Sequence, residues 1–181
     1  HKLGLRTSAH IESTEGVEVG LKAGVDTIEH GAPLTDELLN LFKKNGLGNA
    51  SSLTCTLSPA LPFAVLSPEK THSTHVQKVN GRVVYEGVAT ATRQALANGI
   101  PVGLGTDSAC PFVTHYDMWR EVVYFQRHTG VTPEFALHTA TLKNAQLLGV
   151  ANETGSIETG KSADFIVLDV NPLDDLCALR N

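Results

Sequence analysis

The sequence predicts an α/β fold with parallel strands, and three observations carry that prediction. Short apolar runs stop abruptly at a glycine, histidine or aspartate. In Ile100-Pro-Val-Gly-Leu-Gly-Thr-Asp-Ser108 the run from Ile100 to Leu104 ends at Gly105, and Asp107 follows. A buried strand delivers a carboxylate to the C-terminal edge of a sheet in this way. Between such runs lie helix-length segments with start and stop signals. Strand and helix then alternate four times along the body of the chain, which implies parallel strands joined by helical crossovers. Four units make half of an eight-fold barrel or a small doubly wound sheet.

The elements follow in order. Leu5 to Ala9 is the first strand, leading into His10. Thr14 to Ala23 carries Val17 and Leu21 four apart with Gly24 as a stop, the pattern of a helix weakened by its glycines. Val25 to Ile28 is a strand that runs on to His30 and Gly31. Thr35 caps the next helix, with Asp36 and Glu37 in its first turn, Lys43 and Lys44 in its last, and Gly46 beyond. The charges oppose the helix dipole at both ends, and Leu34, Leu38, Leu41 and Phe42 form one apolar face. Leu47 to Leu57 holds a third strand, best defined over Leu53 to Leu57. Ser58 to Thr74 has Pro59, Pro62 and Pro68 and no period, so it reads as a long excursion loop of the kind that often carries function. Val79 to Asn98 is a helix with Val84, Val88, Ala91 and Ala95 inward, stopped by Gly99. The strand Ile100 to Leu104, a loop from Ser108 to Thr114 and a helix from Tyr116 to Arg127 follow. Thr132-Pro133-Glu134 is a strong helix start, and Thr141 to Leu148 is a further short helix closed by Gly149. The tail from Gly155 to Leu168 reads as strand, glycine turn, strand, ended by Asn171-Pro172.

Composition narrows the function classes. With 181 residues and 41% hydrophobic content the chain suits one sizeable core or slightly more. A net charge of -5 and the absence of a basic run argue against a nucleic-acid partner. No apolar stretch approaches the roughly 20 residues of a membrane helix. The three cysteines, Cys55, Cys110 and Cys177, are odd in number and widely spaced. They fit neither a disulfide framework nor a Cys-x-x-Cys zinc site, so a reducing cytoplasm is expected. The chain begins almost directly on a strand without an initiator methionine, which reads as a fragment.

Three residues closing three separate strands form the candidate site: His10, His30 and Asp107. Imidazole nitrogen and carboxylate oxygen suit zinc and similar divalent ions. Strand C-termini in a parallel α/β sheet share one face, so ligands distant in sequence can converge. Each residue also has a plain structural use, a histidine bonding a loop carbonyl or an aspartate capping the next helix. His115, Tyr116, Asp117 and Glu121 follow the Asp107 loop, either as substrate contacts or as an exposed helix start. His72 and His75 read as solvated histidines, Cys110 as a packing thiol, Thr141 as a cap, and Asn144 as a packing or hydrogen-bonding residue. Lys161 and Asp164 read as turn and strand-start residues.

With those residues in hand, the chain resembles the C-terminal half of the amidohydrolase superfamily, in the branch of imidazolonepropionase and prolidase-like dipeptidases. Four stretches carry the resemblance: Ala9-His10, Ala23-Gly-Val-Asp-Thr-Ile-Glu-His-Gly31, Gly105-Thr-Asp-Ser108, and the run from Gly155 to Asp169. Thr132 to Leu137 and Ala140 to Ala145 resemble the family's late helices. The resemblance implies strands five to eight of a (β/α)8 TIM-type barrel over residues 1–150, and a short segment of the accompanying β-sandwich over 151–181. It implies His10 and His30 as ligands of a second metal position. Asp107 would bind the first position and handle the proton of the attacking water, and His115 would contact substrate. The cofactor would be a divalent metal, zinc foremost, one or two ions in the intact protein. The substrate would be a small amide or dipeptide, cleaved at a C–N bond by metal-activated water.

The family's His-x-His pair and bridging lysine belong to strands absent here, so the chain alone is expected to be inactive. Two unpaired sheet edges would then favour self-association or pairing with the missing half. Deaminases of the superfamily often carry His-x-x-Glu, whereas this chain reads His10-Ile-Glu-Ser13, which lowers the deaminase or cyclic-amide-hydrolase alternative. Retention of all three ligand positions argues against a non-catalytic scaffold.

Overall fold

The computed structural model describes residues 2–180. Its centre is a parallel sheet of four strands, β1 (Ser8–Ile11), β2 (Thr27–His30), β3 (Ser52–Cys55) and β4 (Val102–Leu104), in the order β1-β2-β3-β4. Each strand pairs with the next in sequence, with Ala9 opposite Ile28, Ile28 opposite Leu53, and Leu53 opposite Val102. A doubly wound sheet reverses its strand order at a switch point; this sheet does not. Among the described residues β1 and β4 pair on one side only.

The strands alternate chemically rather than being apolar throughout. Ile28, Leu53, Cys55, Val102 and Leu104 join the buried core. Ser8, Thr27, Glu29, Ser52 and Thr54 line a groove of about 300 Å³. Strand side chains point to opposite faces in turn, so one face of the sheet meets the helices and the other is polar.

Helix α1 (Thr14–Ala23) starts at Ser13, whose hydroxyl accepts from the Gly16 N–H at 3.0 Å, and ends at the left-handed Gly24. Its glycines have a packing role. A Cβ on Gly20 would lie 2.7 Å from Ile11 Cδ1 and 3.1 Å from Ile28 Cδ1, so the helix reaches the strands only because that Cβ is missing. Thr35 caps α2 (Asp36–Lys43) as its charge pattern predicts. Val17, Leu21 and Phe42 are completely buried.

The excursion expected as a loop contains two short helices, α3 (Leu61–Val65) and α4 (Pro68–Thr71), each with proline at its start. The prolines that obscure the period are thus placed where a helix tolerates them. Helix α5 (His75–Ala97) begins four residues earlier than Val79, through a reciprocal capping box between Thr74 and Gln77. Its expected stripe is half right at the start: Val84 is half-buried, while Val88, Ala91 and Ala95 are wholly buried. Helices α6 (Met118–Thr129), α7 (Pro133–His138) and α8 (Asn144–Leu148) complete the body. A π-helical turn, Thr139–Lys143, joins α7 to α8. Thr141 is therefore no cap: its hydroxyl donates to the Leu137 carbonyl at 2.7 Å.

The tail differs from expectation. No strand forms between 155 and 169, and the final element is a 3₁₀ helix, Leu176–Arg180. Ile157 and Val167 are 94% and 86% exposed. An isolated hairpin is marginal in water, and these apolar side chains have no second sheet to cover. The Val25–Ile28 and Leu5–Ala9 strands form two or three residues later than their apolar runs suggest, so His10 lies within its strand.

Edge strand β4 is completed by a side chain. Asn144 Nδ2 donates to the Leu104 carbonyl at 2.9 Å, and Asn144 Oδ1 accepts from the Leu104 N–H at 2.9 Å. The carboxamide replaces the missing strand at that residue. Asn144→Leu should destabilise the chain by about 2–4 kcal/mol in urea unfolding, because both backbone groups of buried Leu104 lose their partner. A change below about 0.5 kcal/mol would show that water replaces the carboxamide without cost.

Candidate metal centre

The site is built where β1 and β2 end. Register places His30 beside Ile11, and Ile11 is flanked by His10 and Glu12. Those two residues stand two apart, which puts them on one side of an extended chain. The backbone turns sharply at His30 and Gly31, with φ values of 69° and 84°. A left-handed histidine is uncommon and such strain collects at functional sites.

The result is a close group of three. One ligand atom from each of His10, Glu12 and His30 lies within 4.8 Å of the other two. The two imidazoles meet edge to face, with centroids 4.7 Å apart and planes at 78°. His30 is buried, while His10 and Glu12 are exposed. Burial, then the neighbouring His10 ring, hold His30 below the ordinary imidazole value, against the upward pull of Glu12, Asp107 and Glu29. A neutral imidazole beside a carboxylate and a second imidazole is the donor set of a zinc-type ion.

Asp107 lies outside this group of three. It sits past β4 in a loop where Asp107, Ala109 and Phe112 all have positive φ, at 53°, 80° and 69°. Its charge reaches His30, and its Oδ2 accepts from Cys110 Sγ at 3.1 Å. Burial and that carboxylate push the Cys110 thiol up to about 11. His115 is exposed and its ring lies tilted against Tyr116, with centroids 3.9 Å apart and planes at 41°; it does not line the cavity that Glu12 and His30 line. His72 and His75 are exposed.

Glu12 is the member of this group that the sequence does not single out as a candidate ligand, since there it stands only as a glutamate out of place in a deaminase pattern. The two-residue spacing from His10 is the signal that could have found it.

Glu121 also departs from expectation. It is wholly buried and touches the backbone rather than open space. Its carboxyl oxygens take the N–H groups of Leu57 at 2.7 Å and Ser58 at 2.9 Å, and the Ser58 hydroxyl lies 2.5 Å away. It holds the corner leaving β3, immediately before Pro59 and Ala60, which wall a cavity of about 240 Å³ that Glu12 and His30 also line. Asp117 serves its own turn, accepting from the Thr114 N–H at 2.8 Å.

Residues 1–181 match the model of the Amidohydrolase family. The chain superposes over 99% of its length on a candidate prolidase from Bifidobacterium longum, with a TM-score of 0.94 and 46% identity, covering 45% of that chain. It superposes over 99% of its length on a Xaa-Pro dipeptidase crystallised with methionine in its active site, with a TM-score of 0.81 and 30% identity, covering 43% of that chain. It is 28% identical over 170 residues to ochratoxinase from Aspergillus niger, across 93% of this chain and 33% of that protein. The chain therefore spans less than half the length of these relatives.

Glu121 gives the site a pH test. Burial raises its carboxyl from the ordinary 4.5 to about 7, although the Ser58 hydroxyl and the two N–H groups oppose the rise. An acid with a raised folded value stabilises the fold fully below its unfolded value and loses that contribution as pH rises through the folded one. Stability should fall by on the order of 3 kcal/mol from below pH 4.5 to above pH 7, read by denaturant unfolding across pH. Glu121→Gln should flatten that slope; an unchanged slope would place the titration elsewhere.

Proposed function

The chain belongs to the amidohydrolase family, and from that premise we propose that it contributes part of the active centre of a metal-dependent hydrolase that cleaves C–N bonds in a small amide or dipeptide. The observation that carries this reading is the His10–Glu12–His30 group beside the cavity. A divalent metal, zinc foremost, fits that donor set: two imidazoles and one carboxylate leave a coordination position open. His10, Glu12 and His30 would hold it, and one or two ions would serve the intact protein. A bound ion supplies an acidified water and polarises the scissile carbonyl.

The chain's own residues do the rest. Burial holds the His30 imidazole below its ordinary value, which favours the form that offers a lone pair. Asp107 takes the proton of the attacking water and returns it to the leaving nitrogen. His115 reaches substrate only if its loop folds inward over the site. The dipeptidase relatives at 46% and 30% identity favour an amide or dipeptide substrate over a cyclic amide.

The four strands are assigned as strands five to eight of a (β/α)8 barrel, over residues 1–150, with 151–181 as part of a β-sandwich. The polar sheet face, with Ser8, Thr27, Glu29, Ser52 and Thr54 along an open groove, supports an interior completed by further strands. No helix among the described residues is long and apolar enough to cross a membrane. All three cysteines are free thiols, in keeping with a cytoplasmic protein. The chain by itself is assigned no turnover.

Two outcomes test this reading. The chain should bind zinc by calorimetry. A His10→Ala, His30→Ala double variant and Glu12→Gln should each weaken binding by at least about tenfold, since even outer-shell losses reach that size. Unchanged affinity in all variants would sink the metal centre. In size-exclusion chromatography the wild-type chain should elute larger than a monomer, because β1 and β4 are open parallel edges. A stable monomer with no dye-accessible apolar surface would count against a half-barrel.

A further inference from the structure

The cavity beside the metal ligands is chemically one-sided. Glu12 and His30 stand at one part of its lining, and Pro59, Ala60, Phe63, Val84 and Pro111 wall much of the remainder. Among its lining residues there is no lysine or arginine, and Glu12 is the sole acid. Gln77 and Asn80, from the first turns of α5, add uncharged carboxamides. Gln77 Oε1 already accepts from the Thr74 N–H at 2.8 Å, so its free donor is the Nε2 group.

The walls are held in place by tight packing. A Cβ on Gly81 would lie 2.4 Å from Phe63 Cβ, so α3 sits against α5 only because Gly81 has no side chain. Phe63 in turn meets Phe112 edge to face at 5.5 Å. Glu121 fixes the corner from which Pro59 and Ala60 project.

From this lining we infer that the cavity is the pocket for an apolar side chain of the substrate, of aromatic or long aliphatic type, next to the bond to be cleaved. The inference rests on the hydrolase reading and adds the side-chain class. Size supports it. An apolar cavity of about 150 Å³ holds a benzene ring, and this one offers about 240 Å³, room for a ring and its linking carbons. Charge supports it as well. An anionic side chain entering here finds no lysine or arginine, and a cationic one finds a single acid, Glu12, at the edge of a largely apolar wall.

The test uses N-acetylated amino-acid amides on the chain with 13C-labelled alanine and valine methyls. N-acetylphenylalaninamide, N-acetyllysinamide and N-acetylaspartamide are titrated by NMR, each in chelator and again with zinc. The phenylalanine probe should shift the Ala60 and Val84 methyls saturably in both conditions, at least tenfold more tightly than either charged probe. Val84→Trp should abolish the shift of the Ala60 methyl. Asn80→Asp, an exposed position that leaves the fold undisturbed, should raise the affinity for the lysine probe at least threefold. Equal affinities for the three probes, or shifts away from Ala60 and Val84, overturn the inference. Because the chelated titration is blind to metal, failure of the zinc centre leaves this result standing. Zinc binding without methyl shifts overturns the pocket alone.

Discussion

Strand ends in a parallel sheet carry backbone groups that the sheet itself does not satisfy, and a buried unpaired group costs as much as a lost hydrogen bond. This chain meets that constraint with side chains. Asp26 Oδ2 accepts from the Thr7 N–H at 2.8 Å, where the chain enters β1. Asn45 and Ser51 both donate to the Val25 carbonyl before β2. The Gln94 carboxamide pairs with both the N–H and the carbonyl of Leu34 after β2. Glu121 takes Leu57 and Ser58 after β3, and Asn144 takes Leu104 in β4. Each strand is thus tied by at least one distant polar side chain.

Those ties matter to the candidate site because its residues sit at the same ends. His10 and Glu12 come from the end of β1, and His30 closes β2. The left-handed backbone at His30 is tolerable because the surroundings are fixed. Gly31 donates to the Ile11 carbonyl at 2.8 Å, and the Leu34 pairing holds the loop that follows. Strain at His30 is maintained by hydrogen bonds at positions outside the His10–Glu12–His30 group.

The cavity depends on the same arrangement. Its apolar wall comes from the β3–α3 corner that Glu121 holds and from the α5 face that the missing Cβ of Gly81 brings near. The His10–Glu12–His30 group and the cavity wall are therefore two products of one set of strand ends, one polar and open to solvent through His10 and Glu12, the other mostly apolar.

Local pattern was enough for much of this. Thr14–Ala23 with its Gly24 stop, Thr35 ahead of Asp36, and Thr132-Pro133 as a helix start all form as written, because caps and dipoles act within one turn of the chain. His10 and His30 were legible as neighbours because strand C-termini share an edge. Other features were decided only in three dimensions. Glu121 reads as an exposed helical acid, and only its placement against the distant Leu57 and Ser58 buries it. Glu12 looks misplaced in the sequence, and only the fold brings its carboxylate near His30. The tail from Gly155 has the composition of strands, but a strand exists only with a partner, and among the described residues that stretch finds none. Sequence by itself determined the elements whose signals are local and the order in which they alternate. Tertiary structure decided which polar side chains face a backbone, one another or solvent, because that depends on neighbours distant along the chain.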